Sequence, residues 1–261
     1  MNYIKVIILV FALIIFFLLE YFFPFFKGIK LKKKIIHDAY NLIFAVFNFL
    51  LIFLLFKYPL NYIFKLSKEH SIGLLNLLPF YFFIEFIIGF ILFDLWMYFW
   101  HFLNHKVKYL WIFHRMHHSD NDLDSTSALR FHTGEIIIST ILRIPVILII
   151  GLNLEILIIY EIVLNISTIF HHSNFNLPEK IDNLLMHIIV TPNMHRVHHS
   201  QNQFETDSNY STTTSLWDRI FRTFKRRIYP IQINLGLKEF EAKKWQDIRG
   251  MFITPFVKIK K

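Results

Sequence analysis

The stretch PFYFFIEFIIGFILFDLWMYFWHFLNH, running from Pro79 to His105, decides how this 261-residue chain folds. Proline suits the first turn of a helix, and none follows within the stretch. As a helix its 27 residues extend about 40 Å, more than the roughly 30 Å hydrocarbon core of a bilayer. The far end therefore emerges, carrying His101 and His105 just past the membrane face. The many Phe and Ile residues also suit a strand, but a lone strand cannot satisfy its backbone in lipid. The segment is predicted to be a spanning helix.

Four more apolar segments flank it, roughly Tyr3–Phe26, Asp38–Phe56, Glu135–Ile150 and Leu152–Phe170. With 54% hydrophobic residues and a mean hydropathy of +0.43, they exclude an ordinary soluble domain. Tyr3–Phe26 is too long for a signal-peptide core and lacks a small-residue cleavage site, so it is expected to be a retained helix. The fold class is all-α: a polytopic integral membrane helical bundle of four to five membrane helices with a cytoplasmic histidine-rich cap. No repeat or linker divides it, so one membrane domain over residues 1–261 is expected.

The fourth and fifth segments are joined at Gly151 and form a hairpin that leaves and returns to one face. That face carries Lys27, Lys30, Lys32, Lys33, Lys34, Lys106, Lys108, Arg115, Arg130 and the basic run from Arg219 to Arg227. The other has Lys5, Lys57, Lys65 and Lys68. Positive residues mark the cytoplasmic side, placing the amino terminus outside and the polar cap inside. In a bacterial cell this would be the inner membrane. The net charge of +9 is therefore read as headgroup contact; no nucleic-acid motif accompanies it. Trp245 and the Met251–Val257 region are expected to rest on the membrane surface.

Twelve of the fourteen histidines lie between His101 and His199. Residues three or four apart share a helix face, and the pattern recurs in His101/His105, His114/His117/His118 and His195/His198/His199. Adjacent histidines diverge by about 100° on a helix, so each three-histidine cluster can serve two ions. Together with His172 these nine imidazoles, too many for one metal, suit a binuclear centre with an open position. His171 competes with His172. His132 and His187 lack paired partners and are expected to be buried or to support the site from outside it. His37 and His70 are expected to be interfacial bystanders. Asp94, seven residues before His101 on the same face, and Tyr98 between them are candidates to orient a ligand or cap the cavity. Asp120, Asp122 and Asp124 suit either a solvated turn or a functional role. Arg143 and Glu161 are expected to pair across the hairpin.

The chain has no cysteine, which leaves imidazole and carboxylate as strong ligands and points to iron, zinc or copper. A zinc-dependent membrane lipid hydrolase is the alternative reading, but the His-Glu-x-x-His motif is missing. A metal transporter would place its ligands near the bilayer midplane rather than beyond the helix ends.

The motifs, in order, are Asp94-x-x-x-Tyr98-x-x-His101-x-x-x-His105, His114-Arg-x-His117-His118-Ser119, Ala128-Leu129-Arg130, His172-Ser173-Asn174, Thr191-Pro192-x-x-His195-Arg196-Val197-His198-His199 and Trp217-Asp218-x-x-Phe221-x-Thr223-Phe224. Over residues 94–224 this resembles the fatty acid hydroxylase superfamily, also called the sterol desaturase family, with its closest likeness in the bacterial and alkylglycerol-monooxygenase-like branch. The resemblance implies a four-helix membrane core and a cytoplasmic centre of two iron ions. It also implies O2-dependent hydroxylation or desaturation of a lipid (fatty acyl, sterol-like or ether). A tunnel lined by Phe and Leu from the third to fifth segments would hold the tail. Some relatives carry a fused cytochrome domain; its absence here implies a separate electron donor of cytochrome b or ferredoxin type. Arg222 stands where related chains often have glycine, which puts a turn geometry in question.

Overall fold

The structure is a computed structural model that describes residues 3–77, 81–228 and 230–258. Among these residues there are helices and only three isolated bridges, with no sheet. Five helices are long and apolar enough to cross a membrane: α1 (Tyr3–Phe22), α2 (Leu31–Glu69), α3 (Phe82–Lys106), and, after the short α4 (Lys108–His118), α5 (Thr133–Ile150) and α6 (Leu154–His172). Pro79, the expected helix start, lies outside the described residues.

The second segment departs most from expectation. Instead of the 19 residues from Asp38 to Phe56, α2 runs for 39. The added residues lie at its lysine-bearing ends, where Lys34 reaches Asp124 at 2.7 Å and Glu20 at 2.8 Å. Its middle is fastened by Asn41 donating to Thr126 Oγ1 (3.0 Å) and Asn48 to the Phe131 carbonyl (2.8 Å). Sequence hydropathy detects only the lipid-facing part of such a helix. Pro59 is accommodated within it.

At the end of the bundle away from the histidines, α5 closes on Gly151, whose φ of +74° is the left-handed cap conformation that glycine adopts without steric cost. Asn153 then caps α6 by accepting from the Ile156 N–H at 2.9 Å. Gly73 packs so tightly here that a Cβ on it would lie 2.3 Å from Gly151 Cα. The main apolar core lies between α3, α5 and α6, around Phe93, Met97, Ile147, Ile156 and Tyr160. On α1 and α2 many large apolar side chains remain exposed, as lipid-facing helices require.

Beyond α6 the cap contains α7 (Glu179–Leu185), α8 (Pro192–His198), α9 (Gln203–Thr206), α10 (Leu216–Ile220) and α11 (Ile248–Ile253). Pro192, a turn signal in the sequence, is the first residue of α8, and Thr191 caps that helix through Met194 N–H. Of the carboxy-terminal stretch expected on the membrane surface, Met251 is instead fully buried against Phe44 and Met116, while Phe252 and Phe256 are exposed.

Candidate metal centre

Helix α3 stops at Val107, an extended residue that also opens α4. The corner folds α4 back, bringing the His114 ring within 5.1 Å of His101. Helix α6 contributes His172 and α8 contributes His195 and His198, with His199 as its cap. Four helices therefore aim imidazoles at one volume.

The nine expected imidazoles divide into two groups. One ring nitrogen from each of His101, His105, His114, His118 and His198 lies within 4.8 Å of the others, and the same holds for His117, His172, His195 and His199. Nε2–Nε2 separations are 2.9 Å for His198–His101, 3.0 Å for His195–His172, and 3.1 Å for both His172–His117 and His199–His195. Nitrogens bound cis to one ion at about 2.1 Å would be about 3.0 Å apart. Lone pairs facing one another that closely would repel without a shared cation.

The outward nitrogens support this arrangement. Nδ1 of His101 lies 2.8 Å from the Tyr210 carbonyl, that of His172 2.7 Å from Thr168, and that of His198 2.6 Å from Ser208. His114 Nδ1 faces Glu135 Oε1 at 2.9 Å. A proton donated outward on Nδ1 leaves the Nε2 lone pair pointing inward, as metal-bound histidines require. Inward Nε2 atoms of His105, His114 and His118 are buried without a hydrogen-bond partner. Burial, reinforced by neighbouring imidazoles, holds His117, His118, His195 and His199 well below the ordinary histidine range. Burial also pushes His198 down to about 3. All five are neutral at physiological pH, the form that binds metal. The donor set fits two imidazole-bound ions.

The remaining predicted residues take different places. Asp94 is spent on α6 and the cap, accepting from Tyr160 of α6 at 2.9 Å and from Thr214 and Trp217 Nε1 of the cap at 3.0 and 2.8 Å. Tyr98 bonds Thr223 at 2.9 Å. They fasten the segment whose Tyr210 carbonyl orients His101, one layer further out than expected. His171 is buried with its ring 4.0 Å from His195, outside both groups. His132 caps α5, accepting from Gly134 N–H at 3.0 Å, and His187 is exposed rather than buried. His70 is exposed.

His37 overturns its expected bystander role. It is buried, with Nε2 2.9 Å from Asp120 and Nδ1 3.2 Å from Asp124. Lys34 reaches Asp124 at 2.7 Å and Glu20 at 2.8 Å. Although Asp38, Asp124 and His37 cluster tightly enough for an ion, the ammonium already fills that role. The cluster ties α1 and α2 to the turn after α4. The acidic run is thus a buried junction, with Asp122 on Lys33 at 2.7 Å at its rim.

Glu135, Thr168, Ser208 and Tyr210 were not singled out in the sequence. Glu135 alone left a signal, as an acid in the first turn of an apolar helix; the others act through backbone carbonyls, which sequence does not mark. Arg196, between two histidines, is fully buried, donates to the Ser173 and Phe175 carbonyls at 2.9 Å, and is pushed down to about 9 by burial. Asp218 accepts from the Tyr210 and Ser211 N–H groups at 2.8 and 3.0 Å, which accounts for the Trp-Asp motif. Arg222 adopts φ +58°, so the turn usually made by glycine is kept, with strain.

A cavity of about 590 Å³ runs from His101, His117 and His172 into the bundle. That size suits a small-molecule ligand. Its aromatic wall comes largely from Phe49, Phe53 and Phe64 of α2, a helix not expected to contribute, with Trp100, Leu157 and Leu164 opposite.

Comparison with known proteins decides the family. The fatty acid hydroxylase model matches residues 86–223, just over half of the chain. The chain belongs to the fatty acid hydroxylase family. Human alkylglycerol monooxygenase is 34% identical over 134 residues, 51% of this chain and 28% of its own length. The Xenopus tropicalis alkylglycerol monooxygenase is 34% identical over 140 residues, 50% of this chain and 28% of its own. An ornithine lipid hydroxylase from Rhizobium tropici is 28% identical over 158 residues, 60% of this chain and 46% of its own. The chain thus spans less than half the length of these curated relatives. No solved structure matches it. These relatives are lipid hydroxylases and monooxygenases, and five candidate spanning helices make this chain an integral membrane protein.

Proposed function

We propose that the chain is a membrane-bound non-haem oxygenase that uses two iron ions and O2 to hydroxylate or desaturate the alkyl chain of a lipid. The observation carrying this reading is the junction of two clustered imidazole groups with one largely apolar cavity. His101, His105, His114, His118 and His198 would hold one ion, and His117, His172, His195 and His199 the other. Bound iron would supply oxygen activation, which no protein side chain provides.

The chain's own residues do the rest. Tyr210, Thr168, Ser208 and Glu135 hold protons at the outer Nδ1 atoms and so keep the inner nitrogens free. Phe131 stacks on His117 at 4.5 Å and shields that side from water. The Phe-rich wall positions a saturated chain by shape, because methylenes offer no hydrogen bond. Hydroxylation consumes O2, two electrons and two protons, releasing water. The electrons would come from a separate cytochrome b-type or ferredoxin-type donor, at a site facing the cytoplasm of a bacterial inner membrane. Anaerobic and aerobic incubations of the purified, iron-loaded protein with membrane lipids and a reduced ferredoxin-type or cytochrome b-type donor provide the test. Lipid-dependent O2 uptake with mass gains of one oxygen, or losses of two hydrogens, is expected; iron-loaded protein indifferent to O2 and lipid would overturn the reading.

A further inference from the structure

The end of the cavity remote from the histidines is charged. Lys5, Lys57, Arg143 and Glu161 all line it. Lys5 pairs with Glu161 Oε2, while Arg143 Nη1 is 3.6 Å from the other carboxylate oxygen, beyond hydrogen-bond distance. The lining there thus holds one carboxylate and three cations, two of them beside that carboxylate. Among the described residues, buried Arg143 Nε has no hydrogen-bond partner. Among the described residues Lys57 has the Phe53 and Tyr58 rings within reach, at 5.0 and 5.5 Å, and no ion-pair partner. Such groups within a membrane bundle normally find a partner or face a polar occupant.

Helices α2, α5 and α6 place Lys57, Arg143 and Glu161 at similar depth. Arg143 lies eight residues beyond Glu135, which touches His114, and Glu161 eleven residues before His172, so they are about 12 and 16 Å from the histidine level. Lys57 is nine residues past Asn48, which bonds Thr133 at the start of α5, a rise of about 13 Å. An extended chain advances about 1.2 Å per bond, so the gap equals on the order of ten to fourteen bonds.

We propose that this end of the cavity is an anion site that anchors the substrate's acidic group, carboxylate or phosphate, with the alkyl chain running inward to the histidines. It rests on the oxygenase reading for which end of the ligand reacts, and it makes the substrate class an anionic amphiphile attacked on the order of ten to fourteen bonds from its charge. Arg143 supplies unpaired donors, Lys57 supplies charge, and Glu161 with Lys5 holds the arginine in place. An uncharged alcohol of equal length would leave those donors unmatched.

Binding can be read without metal. In metal-free protein in detergent, 12-bromododecanoate should quench the fluorescence of Trp100, which lines the histidine end of the cavity. We expect it to bind at least tenfold more tightly than 12-bromododecanol. Arg143→Gln should abolish that preference, Lys57→Gln should reduce it, and Trp100→Phe should remove the quench. Dodecyl phosphate competing more strongly than dodecanoate would identify a phospholipid-type anion; the reverse would identify a fatty-acid-type one. Equal binding of acid and alcohol, a preference surviving in both Arg143→Gln and Lys57→Gln, or stronger quenching by 2-bromododecanoate would overturn the inference. Lys57 is exposed, so its variant remains informative if Arg143→Gln fails to fold. Without metal in the assay, failure here leaves the oxygenase reading standing, and an iron-free native protein would leave the anion site standing.

Discussion

Nδ1 of His114 lies 2.9 Å from Oε1 of Glu135, the one carboxylate hydrogen-bonded to any of the nine clustered imidazoles among the described residues. The pair joins α4 to the first turn of α5 and fixes which nitrogen of His114 faces inward. Removing such an orienting partner typically costs 10–100-fold in metal affinity. Glu135→Ala is expected to lower affinity at the five-histidine group by about that factor while leaving the four-histidine group loaded. Chelator competition followed by metal analysis would show one readily stripped ion and one retained.

Arg222 carries a left-handed backbone on an exposed turn, with φ +58°. A side chain there costs roughly 1–2 kcal/mol that glycine avoids. Arg222→Gly is expected to raise the thermal midpoint by a few degrees, since the added freedom of the unfolded chain offsets only part of that gain. Differential scanning fluorimetry of the two proteins checks the sign.

Asp124 gives the fold an acid-sensitive joint. Burial raises its carboxyl, but the charges of His37 and Lys34 more than offset this and hold it well below the usual range. Its folded value is thus lower than its unfolded value of about 3.9. The stabilisation is complete above about pH 4 and drains away as pH falls further through the folded value. Asp124→Asn takes one carboxylate from both Lys34 and His37 within a buried charge network and is expected to cost about 3 kcal/mol at pH 7. Its penalty should shrink below pH 4. Unfolding midpoints of both proteins from pH 7 to pH 3 would show the curves converging.

His132 and His117 separate structural from ligating histidines. His132→Ala removes the cap on α5, worth about 1 kcal/mol, and a contact to the Phe252 carbonyl at 3.2 Å, and should leave metal content unchanged. His117→Ala should lose one ion of two. Equal metal content in both variants would contradict the assignment.

Much of this was legible because lipid and metals impose simple rules. Helix length and charge marked α1, α3, α5 and α6, and the spacings of three and four named eight of the nine imidazoles that the structure brings together, His172 being added without such a spacing. α2 was misread because Lys32, Lys33 and Lys34 at one end and Lys57, Pro59, Lys65 and Lys68 at the other interrupt its hydropathy, although the helix runs through them. His37 was misread because its acidic partners lie more than eighty residues away. Asp94 was assigned by helix face alone, which cannot reveal that Trp217 would claim it. Carbonyl partners such as Tyr210 have no residue-type signature.

The most direct measurement is metal content by mass spectrometry on protein purified from its membrane, alongside His117→Ala and His198→Ala. The account predicts two iron ions per wild-type chain and about one in each variant, because the two histidines belong to different groups. A single ion that either substitution removes completely, or a full complement of zinc, would contradict it.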